Sequence, residues 1–278
     1  MTALTIQNLW KEYDAQVVLE SVNLTIAPRA FVALVGPSGC GKTTFLRMLL
    51  GQERPTRGTI LMDGTPLPPE PGPDRGVVYQ RYSVFPHLTA LQNVMLGPEF
   101  QAARLTGRVY GTKRRALADK AAALLAEVGL AGAEAKHPAQ LSGGMQQRLA
   151  LAQTLMMRPK LLLLDEPFGA LDPGIRAEIH ALMRRLWHEH EMTVVMVTHD
   201  LREAFALATR VIAFDRPRNR PEERERYGAT ITKDIAIWPP RVAGRQTIYD
   251  ADISPGQDDL TRFAIHSGTT RPAQGSRP

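Results

Sequence analysis

An α/β domain built on a mainly parallel sheet is the fold class this sequence predicts, and three observations predict it. Short continuous apolar runs, Phe31-Val32-Ala33-Leu34-Val35 and Leu161-Leu162-Leu163-Leu164, read as strands, and such runs suit a sheet covered on both faces. From Ser142 to Phe214 helical and strand patterns alternate, the order of an α/β unit. A glycine-rich turn, Gly36 to Gly41, stands between a strand and a helix that begins near Lys42; such a join aims backbone N–H groups at an anion.

The elements follow in order. Residues 1 to about 35 read as strands, because Val22, Leu24 and Ile26 alternate with Asn23 and Thr25, the period of a half-buried strand. The helix after the glycine turn should fade at Gly51. Ile60-Leu61-Met62 leads into Asp63-Gly64, a strand entering a tight turn. A proline-rich loop from Pro66 to Pro73 precedes a short strand, Val77-Val78-Tyr79. Residues from about 88 to 136 read as mainly helical, with 116–128 rich in alanine and leucine, both strong helix formers. The helix after Pro173 places Ile175, Ile179, Leu182, Met183 and Leu186 on one face, the spacing for burial against a sheet. A strand from Thr193 to Val197 follows. Beyond Phe214 the pattern gives way to Arg216-Pro217-Arg218-Asn219-Arg220-Pro221 and a polar tail, of which Gly268 to Pro278 has almost no apolar content and reads as disordered.

Composition narrows the partners. The chain has 278 residues, of which 44% are hydrophobic, enough for a sizeable core. A net charge of +6 suits nucleic acid, anionic lipid or a phosphate-bearing ligand without choosing among them. Cys40 is the single cysteine, so no internal disulfide forms, which fits a reducing compartment. The first residues lack the charged and apolar regions of a signal peptide, and no apolar run approaches the ~20 residues of a spanning helix. Contact with a membrane is therefore expected to go through a partner or the surface.

Gly36-Pro37-Ser38-Gly39-Cys40-Gly41-Lys42-Thr43, with Thr44 next, matches the P-loop pattern in full. Glycines let successive N–H groups converge on one phosphate, Lys42 reaches the β- and γ-phosphates, and the Thr43 hydroxyl suits Mg²⁺. A P-loop needs an acidic partner. Leu161-Leu162-Leu163-Leu164-Asp165-Glu166 supplies two carboxylates at a strand end: Asp165 to hold the metal through its water shell, Glu166 to polarise the attacking water. Alone, an Asp-Glu pair after a strand is usually a solvated loop; the P-loop gives it a task.

Leu141-Ser142-Gly143-Gly144-Met145-Gln146-Gln147-Arg148 resembles the signature motif of the ABC ATPase family. Read on its own it is a helix capped by Ser142, its glycines exposing N–H groups at the start. Other segments resemble the family in order: Tyr13 its adenine-stacking aromatic, Gln80 its glutamine sensing Mg²⁺ and the attacking water, Ala170-Leu171-Asp172 the loop joining two sites, and His199 the histidine on the γ-phosphate. The resemblance implies a P-loop NTPase of the ABC ATPase type: a RecA-like core, an N-terminal antiparallel β part and a helical subdomain at about 88–158, all within residues 2–215. It implies ATP and Mg²⁺ as cofactors, with Thr43, Gln80 and Asp165 at the metal, and ATP hydrolysis coupled to transport. It also implies a head-to-tail dimer, of like or similar chains, in which Ser142, Gly143, Gly144, Gln146 and Asp172 act on the other subunit's nucleotide. Permease subunits in the membrane, a solute-binding protein reached through them, no nucleic acid, and a place on the cytoplasmic face of the bacterial inner membrane complete that expectation.

Phe85-Pro86-His87-Leu88-Thr89, Met145 and the run Asp165 to Asp172 resemble bacterial importers, and Arg216-Pro217 with Asp234 to Arg241 resembles the ATPases of nitrate, sulfonate and taurine importers. The insertion Arg218 to Tyr227 departs from that pattern, and faintly resembles relatives associated with urea or guanidine utilisation. A rival reading is a soluble ABC ATPase working on nucleic acid or the ribosome. The first type needs a long coiled coil and the second two ATPase units, and neither is present in the sequence. A module without hydrolysis is opposed by the intact Lys42, Asp165, Glu166 and His199. Two surfaces stay open. Tyr82, Val84 and Phe85 are either core or a docking groove for a partner helix, and residues 216–267 are either a solvated, internally paired loop or an accessory contact.

Overall fold

The computed structural model describes residues 2–14, 16–80, 83–103, 109–169, 171–218, 220, 223 and 226–237. Arg81, Tyr82, Ala170, Trp238 to Arg241 and the tail beyond lie outside them.

Two strands, β1 (Leu4–Tyr13) and β2 (Gln16–Ile26), open the chain and pair antiparallel. Val22, Leu24 and Ile26 are buried while Asn23 and Thr25 are exposed, as their alternation requires. β3 (Phe31–Val35) is buried at every position and feeds α1 (Lys42–Leu50), which ends on the left-handed Gly51. β4 (Arg57–Met62) turns through Asp63 and Gly64, both at positive φ, into the two-residue β5 (Thr65–Pro66). β6 (Arg75–Tyr79) follows, then α2 (Ala90–Ala102), α3 (Gly111–Glu127) and α4 (Gly143–Leu155). Thr89 and Gln92 form a capping box that starts α2. The alternating part comprises β7 (Leu161–Asp165), α5 (Pro173–His190), β8 (Thr193–Val197), α6 (Leu201–Leu207), β9 (Arg210–Asp215) and β10 (Thr230–Ala236).

The strands form a four-stranded antiparallel sheet, β2-β1-β4-β5, and a six-stranded sheet, β10-β9-β3-β8-β7-β6. In the larger sheet β9, β3, β8, β7 and β6 run parallel. Their side chains alternate between two cores. Val32, Leu34, Leu161, Leu163, Val195 and Val197 meet Phe45, Leu46 and Leu49 of α1 and the inner face of the antiparallel sheet. Phe31, Ala33, Leu162, Leu164, Val194 and Met196 meet α2 to α6. Each fully buried leucine contributes about 1.5–3 kcal/mol relative to exposure. α1 and α4 therefore lie on opposite faces of one sheet.

The sheet does not stop where the sequence pattern fades. Past Phe214 the chain runs to β10, which pairs antiparallel with β9; Ile231 packs into one core and Ile235 and Ile237 into the other. On the way Ala229 N–H donates to Val18 O and Glu20 N–H to Ala229 O, both at 2.9 Å, which ties this segment to β2. Arg218 stacks over Tyr227 at 4.1 Å, an internal pairing within the arginine-rich stretch. For residues 216–267 the sequence left open a solvated loop or an accessory contact; part of the segment forms a strand, in which a register shift between Ile231 and Lys233 turns Ile231 to one face of the sheet and Ile235 and Ile237 to the other.

Candidate active site

Because β3, β6, β7 and β8 are parallel, the loops after them emerge at one edge of the sheet, where open α/β folds place their ligands. That edge gathers the glycine loop after β3, Gln80 after β6, Asp165 and Glu166 at the end of β7, and Thr198 and His199 after β8.

The loop is held by close approach. A Cβ on Gly36 would stand 2.0 Å from the carbonyl oxygen of Phe214, and one on Gly41, at φ +91, would stand 2.8 Å from Leu19. Pro37, Ser38 and Gly39 are exposed, Cys40 is buried, and burial pushes its thiol pKa up against the opposing Lys42 charge. Lys42 is only 6% exposed, and its ammonium donates to Gly36 O and Pro37 O at 2.8 Å each. The loop's own carbonyls thus hold this cation at the mouth of the loop. Thr43 donates through its hydroxyl to Asp165 Oδ1 at 3.3 Å. Burial is the main cause that raises the Asp165 pKa above the usual carboxylate range, and the charge of Glu166 adds to it.

No group of three or more His, Cys, Asp or Glu side chains suited to a metal occurs among the described residues. One hydroxyl and one carboxylate fit Mg²⁺ nonetheless, since that ion commonly takes one or two protein ligands and completes its shell with phosphate and water.

Glu166 occupies φ +47, a strained conformation for a residue with a side chain, and its N–H donates to Val197 O at 2.9 Å. This turn sets its carboxylate 3.4 Å from His199 Nδ1. Gln80 is exposed, and its amide nitrogen lies 3.7 Å from where a Cβ on Gly169 would be. Sequence reasoning missed what supports this pair. Glu203, 5% exposed, accepts from the Thr198 hydroxyl and stands 3.3 Å from His180 Nε2, and the His180 ring packs edge-on against Phe168 at 4.9 Å. The partners are distant along the chain, and only the Asp200 N-cap of α6, accepting from Arg202 and Glu203 N–H, left a trace in the sequence.

Other expected residues stand apart. Ser142 caps α4, accepting from Met145 N–H at 3.3 Å. Gly143 and Gly144 are helical; Gly144 lies where a Cβ would meet Ile175 at 2.5 Å. Gln146 donates to Pro138 O and Leu141 O at 3.0 and 3.2 Å, so its amide braces the approach to the helix. Asp172 is exposed at the start of α5 without capping it through its side chain. Tyr13 is 41% exposed with Lys11 Nζ 4.6 Å from its ring centroid and its hydroxyl on Glu53. Thr44 also bonds Tyr13, whose pKa is raised, chiefly by burial. Phe85 is 41% exposed. Its backbone is clamped by the buried Asn93, which accepts from Phe85 N–H at 2.7 Å and donates to its carbonyl at 3.1 Å. Val84 instead packs partly on the core.

A family model described as ABC transporter matches residues 19–169. The aliphatic sulfonates import ATP-binding protein SsuB of Burkholderia pseudomallei is 46% identical over 279 residues, covering 96% of this chain and 77% of that one. A SsuB of Burkholderia cenocepacia is 45% identical over 78% of this chain; the match spans 62% of that relative's length. The bicarbonate transport ATP-binding protein CmpD of Synechocystis is 40% identical, covering 80% of this chain and 82% of its own. Among solved structures, a dimeric ATP-binding cassette in a post-hydrolysis state with ADP and Pi aligns with TM-score 0.67 and 30% identity, over 85% of this chain and 99% of that one. An ADP-bound cassette of an ABC transporter aligns with TM-score 0.71 at 17% identity, over 85% of this chain and 91% of the other.

Proposed function

Since the chain belongs to the ABC transporter family, we propose that it is the ATP-hydrolysing subunit of an importer. The observation that carries the reading is the single edge that holds the P-loop, the Thr43–Asp165 pair and the Glu166–His199 pair. ATP enters with its phosphates over the N-terminus of α1, where the loop's N–H groups and the helix dipole favour an anion. Lys42 exchanges its two carbonyl partners for the β- and γ-phosphate oxygens. Thr43, Asp165 and Gln80 would hold Mg²⁺, which would supply charge neutralisation at the phosphates. Glu166 orients and deprotonates the attacking water, and His199 holds the γ-phosphate end beside it. Tyr13 receives the base, with Lys11 shifting off one face of the ring.

The family implies a dimer, and α1 and α4 on opposite faces of the sheet are compatible with one. Ser142, Gly143, Gly144, Gln146 and Asp172 act on the nucleotide of a second copy, or of a similar chain, and the dimeric relative supports this arrangement. Residues 2–215 hold the ATPase machinery, with 88–158 as its helical part, and the segment after 215 is an accessory part whose first strand completes the sheet. Phe85, held outward by Asn93, meets a permease subunit at the cytoplasmic face of the bacterial inner membrane. A solute-binding protein works through that permease. The sulfonate and bicarbonate relatives favour a small anion as solute. No helix among the described residues is long and apolar enough to cross a membrane, which accords with a peripheral subunit.

Replacing Glu166 by Gln tests the reading. ATP binding should persist, phosphate release should fall ~10²-fold or more, and ATP should trap a stable dimer visible by gel filtration. Near-native turnover in the purified variant would reject it.

A further inference from the structure

Glu166 and His199 leave different strands, and the two loops meet again at one side chain on α5. Phe168, two residues after Glu166, is fully buried, and its ring lies 4.9 Å from the His180 ring, edge to face. On its other side His180 Nε2 stands 3.3 Å from Glu203 Oε1. The second oxygen of Glu203 takes the hydroxyl of Thr198, the residue before His199. Thr198 is itself 2% exposed. Its N–H donates to Leu34 O at 3.1 Å, and its hydroxyl accepts from Asp200 N–H at 3.1 Å. The chain of contacts runs from the glutamate loop through one imidazole and one buried carboxylate to the histidine loop.

We propose that His180 is a positioning residue: by gripping Phe168 and Glu203 together it fixes the separation of Glu166 and His199. The proposal rests on the hydrolytic reading of that pair given above. The physical ground is the buried carboxylate. A carboxylate taken out of water is tolerated where its oxygens are hydrogen-bonded, and Glu203 spends one oxygen on Thr198 and the other on His180. With the His180 donor gone, Glu203 turns toward whatever else can satisfy it, and Thr198 follows. His199 then moves relative to Glu166, and a displacement of ~1 Å in a catalytic pair costs up to ~10²-fold in rate. Neither His180 nor Glu203 belongs to the phosphate loop, so most of the nucleotide's contacts stay as they are.

Two substitutions separate positioning from mere packing. His180→Leu keeps bulk against Phe168 and removes the donor; His180→Gln keeps a donor toward Glu203. The leucine variant should lower kcat by about tenfold with the KM for ATP within about twofold and a cooperative melt retained, and the glutamine variant should recover most of that loss. A readout independent of hydrolysis is the imidazole ¹³Cε1–¹H signal of His199, assigned by its loss in His199→Gln. It should shift in His180→Leu and return toward the native position in His180→Gln. Native kcat in the leucine variant, a joint loss of kcat, ATP affinity and cooperative melting, a glutamine variant no better than leucine, or an unmoved His199 signal would each overturn the proposal. A native chain without ATPase activity would count against the proposed function instead, and the His199 signal would still decide the link.

Discussion

The glycine-bearing N-termini of α1 and α4 are built differently. At α1 the loop of residues 36–41 takes positive φ at Gly36, Gly39 and Gly41, packs against Phe214 and Leu19, and brings its own cation, Lys42, and its own acid, Asp165. At α4 the glycines are ordinary helical residues behind a serine cap. The nearby cation Arg148 is spent on Val128 O and Glu178, at 3.1 and 2.9 Å. The first terminus is equipped to bind a phosphate by itself. The second offers N–H groups and a dipole alone, on the other face of the sheet from α1. A helix end so equipped contributes little affinity in isolation, and it gains a use when another molecule presents an anion already bound.

The largest expected effect tests that contrast directly. Lys42→Ala removes the cation of the first terminus, and Ser142→Arg blocks the second; each alone should lower ATPase activity by ~10²-fold or more. Only Lys42→Ala should also abolish nucleotide binding by the isolated chain. In an equal mixture half the dimers join one variant to the other, and each of these has one intact composite site of two. Turnover should rise to at most about a quarter of native if two-fold-related sites act independently. A mixture that forms dimers yet recovers no turnover would break the distinction between a site and its lid.

The first terminus was legible in the sequence, and so were Asp165, Glu166 and the parallel core. Chemistry restricts those positions to few residue types at fixed spacing, and strands such as Phe31–Val35 announce themselves by composition. What the sequence hid depends on side-chain contacts, some local and some between distant residues. Lys42 donates to the carbonyls of Gly36 and Pro37, acceptors that the fold of its own loop brings within reach. Lys11 lies over Tyr13, two residues on in the same strand. His180 and Glu203 sit on different helices, and neither belongs to a recognisable pattern. The alternation of Ile235 and Ile237 marks the end of β10, while the run of arginine, glutamate and proline before it hides where the strand begins.

A smaller effect compares the glycines themselves. Alanine at Gly36 puts a Cβ 2.0 Å from the backbone carbonyl of Phe214 at φ +150; neither strand nor loop can yield cheaply, and a cost of about 2 kcal/mol or more is expected. Alanine at Gly144 meets the Ile175 side chain, its Cγ2 at 2.5 Å, so a side chain and not a backbone must give way, though a β-branched one gives way stiffly. It also gains about 1 kcal/mol of helix propensity. Thermal melting should therefore fall clearly for Gly36→Ala and by less for Gly144→Ala, and nucleotide affinity should drop in the first alone. Equal losses of affinity would mean that the α4 terminus contributes to binding within one chain.

The smallest effect concerns the acid that only the first terminus possesses. Burial raises the Asp165 pKa in the folded chain above its ordinary value. The fold therefore prefers the protonated carboxyl, and at neutral pH the ionised group opposes folding. The sign follows by linkage: the cost is absent below the unfolded carboxylate pKa of about 3.9, grows as pH rises toward the folded value, and is fully present above it. Because the side chain is only partly buried, solvent softens the effect. Asp165→Asn keeps the shape and still accepts from Thr43, so the nucleotide-free variant should melt higher than the native chain by about a degree or two at pH 7. The gap should close as the solution is acidified. Adding ATP with Mg²⁺ should reverse the order, since a ligand that binds the native site more tightly stabilises it more, and withdrawing the metal with a chelator should restore the variant's lead. A substitution that melts lower than native without nucleotide, at every pH, would show that the carboxylate at the P-loop edge is held for its hydrogen bond with Thr43 and not kept in reserve for a cation.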